Sequence, residues 1–432
     1  MALALSCAAL PLACFEDAPS TPPTTGDTGS DSGTSTGAAT GPDPTADTGS
    51  TDPATTAGPT TGTTTDATDS LDSSTTDEPP PAQCDDGLLG PGELCLGELT
   101  ALTANEPIRA ARIGDVSGSP DADVVYLISD QVVVRVGDGG ENFGGEVFSA
   151  SVTADAFELA DFDGDGELDM AAVGVGEMLR LLLGNGAGSF TPSASVSVAG
   201  DGRVLAVGDL DGDANLDLVV GTQGVGMIYP MLGSGDGELT ALPPLPGFGE
   251  IRSIAIGELS GDTALDVTIA IIGGAMEGVA LRRGDGTGSL MDQQATPGMM
   301  SNSRDLAVGD FDGDGALDVA YVAASGLGVL LSDGAGGFAP EQAYPMGMGP
   351  ATLAAADFTH DGHDDLVVGH TGENGLRFMI AQPDGTMVEG DALPLSEPII
   401  DLDIGDVNGD GAPDVAATSA DAPVVLVAIS TP

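Results

Sequence analysis

The chain has 432 residues with 68 acidic side chains against ten basic ones, a formal net charge of -58 at pH 7. All ten bases are Arg, so nucleic acid and anionic membrane surfaces are excluded as partners by repulsion, while divalent cations are favoured. Aromatics make up 3% and Trp is absent, yet 41% hydrophobic content and long Val/Leu/Ala runs still allow a large core.

In chain order, residues 1–14 (MALALSCAALPLAC) form an apolar stretch too short to span a bilayer, which reads as the core of a secretory signal. Cys14, preceded by Leu12 and Ala13, resembles the lipid-modified cysteine of a bacterial lipoprotein. That resemblance implies an exported, membrane-anchored protein at the bacterial outer membrane or cell surface; an ordinary secretion signal is the other reading. Residues 15–82 are almost entirely Thr, Ser, Gly, Asp, Pro and Ala, and cannot bury enough apolar surface to offset ordering entropy. A disordered tether is expected there, with a root-mean-square reach of roughly 45 Å.

Residues 83–96 hold Cys84 and Cys95 around DDGLLGPGEL. In an exported chain such an isolated pair most simply closes a small disulfide loop, and a two-Cys metal site lacks further Cys or His nearby. The segment also resembles short Cys modules that follow Thr-rich tethers in some bacterial surface proteins.

Residues 97–432 are organised on seven nine-residue frames. They begin at Asp115, Asp161, Asp209, Glu258, Asp310, Asp357 and Asp406, successive starts being 46 to 52 residues apart. Acids are favoured at positions one, three, five and nine, and glycine at four and six, as in DFDGDGELD. Alternate hard oxygen ligands on a tight loop suit one Ca²⁺, which takes six to eight oxygens. Without a cation, carboxylates so close together repel one another. The alternative is a set of Gly/Asp turns that hold no ion.

Each repeat carries the same strand pattern. Arg203–Asp209 runs into its acidic loop, Asp217-Leu-Val-Val-Gly-Thr leaves it, and Gly226–Leu232 follows with Pro230 as a weak point or bulge. Gly233-Ser-Gly-Asp-Gly turns the chain into a fourth strand at Glu238-Leu-Thr-Ala-Leu. Four short strands per repeat, seven times over, predict an all-β, seven-bladed β-propeller.

The repeats resemble the FG-GAP/VCBS family of the integrin α-chain N-terminal propeller; VGDFDGDGALDV at 308–319 fits that motif throughout. The resemblance implies Ca²⁺ in the loops, about four to six ions in all. Residue by residue it assigns Asp161, Asp163, Asp165, Glu167 and Asp169 to one site, Glu167 through its backbone carbonyl. The next sites use Asp209, Asp211, Asp213, Asn215 and Asp217, then Asp310, Asp312, Asp314, Ala316 and Asp318. The last full set is Asp406, Asn408, Asp410, Ala412 and Asp414. The loop of Asp357, Thr359, Asp361, His363 and Asp365 departs at positions three and seven. The loop of Glu258, Ser260, Asp262 and Asp266 is a weaker match. In the loop at 115, Ser117 and Ser119 replace two ligands, and no ion is expected.

Other chemistry is thinly supported. Ala172 stands where an EF-hand needs Glu, and residues 97–432 hold no H-E-x-x-H, G-x-S-x-G or phosphate-cradling loop. His360, His363 and His370 cluster in one repeat and read as loop residues. The expectation is a recognition or adhesion module for an unidentified surface protein or carbohydrate. A polysaccharide lyase or hydrolase is the alternative, favoured if a Tyr/Arg/His cleft lies opposite the acidic loops. Finally, the last repeat lacks a fourth strand, whereas Gly97–Leu102 copies Gly237–Leu242. Residues 97–104 are therefore expected to pair beside 424–430 and close the ring.

Overall fold

The computed structural model describes residues 96–431 apart from 120, 139–141, 175, 177, 292–293 and 297–300. The expected signal segment with Cys14, the expected tether and the expected Cys84/Cys95 loop lie outside the described residues.

The described chain forms seven antiparallel sheets, one per repeat. Their first strands are Ile108–Gly114, Ala156–Ala160, Asp201–Gly208, Glu250–Gly257, Ser303–Gly309, Pro350–Ala356 and Ile399–Gly405. Each of these touches its counterparts in the preceding and following sheets, and the last touches the first, so they make a closed inner ring. The fold is a seven-bladed propeller of four-stranded blades.

Each second strand opens on the position-nine Asp, which pairs with the last residue of the first strand, as in Gly208↔Asp217 and Gly309↔Asp318. Second strands such as Asp123–Ile128 and Asp318–Ala323 are buried at every residue, because neighbouring blades cover both faces. That double burial explains their unbroken apolar composition, DVVYLI and DVAYVA. The core lies between blades: Val204 and Val219 of the third blade pack with Ile254 and Ile269 of the fourth.

Pro230 produces no register shift in its own strand, where it pairs with Val219. Its carbonyl still accepts the Leu242 N–H at 2.9 Å. The interruption falls instead on the neighbouring outer strand, which is split into Leu239–Ala241 and Leu245–Pro246.

The ring closes as the repeat count requires. Leu96–Thr103 is the outer strand of the seventh blade and runs antiparallel to Val424–Ser430. Leu102 faces Val425 in the register, and the Ala104 N–H extends the ladder to the Pro423 carbonyl at 2.8 Å. A C-terminal edge that would otherwise expose unpaired amides is thereby covered.

Candidate metal centres

The seven acidic loops join first to second strands, so all of them emerge on one face of the ring. Each loop is folded by its own acids. In the loop at 161, Asp161 accepts the N–H groups of Gly164 (2.7 Å) and Gly166 (2.9 Å). Asp163 accepts from Asp165 N–H, and Asp165 from Glu167 N–H at 2.9 Å. These contacts demand left-handed backbone at positions four and six, and in the next loop Ala214 takes φ +71 where most loops have glycine.

Position nine has a second duty. Asp318 is fully buried; one oxygen accepts the Phe311 N–H at 3.0 Å and the other the Ser332 N–H at 2.7 Å. The same two bonds, to the second loop residue and to the end of the third strand, recur at Asp169, Asp217, Asp266, Asp414 and Asp123, while Asp365 accepts from the third loop residue, Thr359, and from Ala381 at the strand end. This carboxylate therefore ties three segments of its blade together.

Among the described residues, three loops gather three carboxylates each: Asp161/Asp163/Asp169, Asp209/Asp211/Asp217 and Asp310/Asp312/Asp318. In each group one oxygen per residue lies within 4.8 Å of the others. The position-five acids Asp165, Asp213 and Asp314 stand outside these groups, each capping the N–H of position seven. The position-seven side chains serve neighbouring segments: Glu167 lies against Gly186, Asn215 against Gly235 and His363 against Gly313.

The remaining loops differ at position three. Asn408 donates to Asp410 at 3.0 Å and accepts its N–H, leaving Asp406 and Asp414 as the carboxylates at positions one and nine; Ala412 is buried. Thr359 is buried beside Asp365, with Asp357 folding its loop through Asp361 and Gly362 N–H groups. In the loop at 258, Glu258 caps Ser260 and Gly261, and Asp262 caps Ala264. In the loop at 115 the hydroxyls of Ser117 and Ser119 donate to Asp123, supplying positive dipoles where the loops at 161, 209 and 310 present carboxylates.

Crowding appears in the proton affinities. Burial first, then the charges at positions one and three, push Asp169 and Asp217 up to about 6 and Asp318 up to about 7, against their backbone hydrogen bonds. Asp365 and Asp414 are likewise pushed up to about 7, chiefly by burial. A hard cation would offset this repulsion using the oxygens already gathered, so the three carboxylate groups fit a divalent ion.

Three stretches of the chain, 161–220, 310–368 and 357–417, match the model of the FG-GAP-like repeat. Those three stretches are FG-GAP-like repeats. No curated protein matches it. Among solved structures it is similar to an Agrocybe aegerita lectin described as recognising non-reducing terminal N-acetylglucosamine, with TM-score 0.51 and 17% identity over 81% of this chain and 88% of that one. It is also similar to BBS1N, solved in complex with ARL6DN, with TM-score 0.55 and 12% identity over 78% of this chain and 96% of that one. At these identities the likeness is one of fold.

The face opposite the acidic loops holds a cavity of about 850 Å³ at the axial mouth, lined in part by Arg252, Arg304, Asn302, Thr371 and Asp421. Sequence reasoning missed these residues. Deeper in the ring, Arg112 is buried and bridges Glu158 (2.9 Å) and Asp401 (3.2 Å), joining the first blade to the second and seventh. Burial pushes Glu158 up to about 7 despite the nearby guanidinium.

Proposed function

We propose that this chain is an exported recognition module of the cell surface, a propeller whose acidic loops bind Ca²⁺ for stability. The observation that carries the metal reading is the convergence of three carboxylates in each of three loops. Calcium suits them better than a soft metal because the gathered donors are all carboxylate oxygens. The ion supplies positive charge at the blade ends; the residues themselves fold the loops and brace the strands. Recognition is supported by the mouth on the other face, whose lining sets cationic, neutral and anionic hydrogen-bonding groups among apolar residues, with no His or Tyr among the described residues. The lectin similarity agrees with a binding role as fold analogy only.

Because calcium binds the folded loops and not the open chain, it raises thermal stability by mass action. Melting curves in excess calcium and in chelator are expected to differ by many degrees. Asp312→Ala is expected to lose one ion by elemental analysis and to destabilise its own blade most. Identical melting curves together with no bound calcium would refute the metal reading.

A further inference from the structure

The arginines of this acidic chain are not scattered. Six residues before each frame stand Arg109, Asp155, Arg203, Arg252, Arg304, Ala351 and Ile400, so four of the ten arginines share one repeat position. Every one of these positions is on or beside the start of an inner strand, and in the ring they come together at one end. In five blades the residue is the extra one of a register irregularity: position 203 falls between the Gly202↔Thr222 and Val204↔Gly221 pairs, and 252, 304, 351 and 400 repeat the pattern. A bulge of this kind re-aims a side chain out of the sheet alternation, here toward the axial mouth.

The seven positions are not equivalent in charge. Asp155 sits between two arginines and pairs with both Arg109 and Arg203. One carboxylate shared by two guanidiniums leaves that sector a single net positive charge, with both arginines engaged by Asp155. Arg252 pairs at 3.1 Å with Glu250, and both side chains are partly exposed, so this contact is weak. Arg304 donates to the Pro350 carbonyl at 3.0 Å and has no carboxylate partner among the described residues. Both Arg252 and Arg304 line the cavity, whose far wall is the uncharged Ala351, Ile400 and Pro398 with Asp421.

We propose that this mouth binds a small hydroxylated carboxylate, of the size of a sugar acid, with Arg252 and Arg304 holding the carboxylate. Guanidinium forks match a carboxylate with two parallel hydrogen bonds. Asn302 and Thr371 offer neutral partners for hydroxyls. Asp421 accepts a hydroxyl proton and repels a second negative charge, which selects a singly charged ligand over a polyphosphate. Among the described residues no aromatic ring lines the cavity, so the charge contact and not stacking decides specificity. The proposal gives the recognition reading its ligand class and rests on it for biological role.

The test is calorimetric titration of the intact, calcium-loaded protein with glucuronate, its uncharged methyl ester, glucose and inorganic phosphate. Glucuronate is expected to bind one per chain, and the ester and glucose at least about tenfold more weakly, the loss expected for one charge-assisted contact. Arg304→Gln and Arg252→Gln should each weaken glucuronate by a similar factor, whereas Arg135→Gln, on the first blade's third strand, should not. The ester comparison needs no variant, so a misfolded substitution leaves the proposal testable. Equal binding of glucuronate and its ester, no binding of either, or tighter binding of phosphate overturns it. A surface ligand found by screening that ignores both substitutions would keep the recognition reading and remove this site.

Discussion

Leu102 offers a direct measure of how much the ring depends on its closing strand. It is 4% exposed and packs with Ile108, Tyr126, Val425 and Val427, residues from the first and seventh blades. Leu99, on the same strand, is 38% exposed. Truncating a buried Leu to Ala removes its transfer energy and leaves a cavity, at about 2–5 kcal/mol. The closing strand is the outermost of its blade and can shift inward, which places Leu102→Ala near the lower end, about 2–3 kcal/mol. Leu99→Ala changes little burial and should stay within about 0.5 kcal/mol. Denaturant unfolding of the two variants in calcium measures the difference directly, provided the slopes match. Equal midpoints for the two variants would show that the strand is not part of the cooperative unit, and the closure argument would fail.

Two further outcomes follow from the buried charges and the leader. Asp305 is fully enclosed and Glu158 largely so, and both are pushed up to about 7, burial being the largest cause for each. A carboxyl with a raised folded pKa contributes stability that is complete below its unfolded value, about 4, and lost as pH rises through about 7. Metal-free protein is therefore expected to melt lower at pH 8 than at pH 5.5; a higher melting temperature at pH 8 would contradict the burial of these groups. The exposed Asp285, Asp333 and Asp384 have lowered pKa values and act only at more acidic pH. Separately, if Cys14 carries a lipid, the mature protein partitions into detergent and Cys14→Ser releases it; equal partitioning of both forms would leave an ordinary secretion signal.

The propeller was legible because its determinants are local and repeated. An Asp at each ninth position opens a strand, and a glycine-rich turn closes each hairpin, so the count of frames is the count of blades. The closing strand was legible for a related reason: one blade was short by a strand, and a copy of a fourth strand stood at the other end. The brace formed by position nine was not legible. Composition shows that Asp318 is acidic, but only the fold brings Ser332 N–H to one oxygen and Phe311 N–H to the other. Likewise Asp163 and Asp165 look alike in sequence, yet the first joins the carboxylate group and the second caps a turn.

The arginine mouth was hidden by distance along the chain. Arg252 and Arg304 are separated by a whole repeat, and only ring closure sets them at one cavity. Their fixed offset of six residues from the acidic frames was visible, and it also fixes how the two faces communicate. Six strand residues at about 3.3 Å each separate Arg304 from Asp310 by roughly 20 Å. The Debye length at physiological salt is about 8 Å, so the loop charges and any ion they hold act weakly on the mouth through the field. The inner strand, however, is common to both sites: its last residue pairs with the position-nine Asp, and its bulge aims the arginine. If a cation holds the loop, its loss would reach the mouth by loosening that strand, so any coupling would be one of blade stability and not of long-range electrostatics.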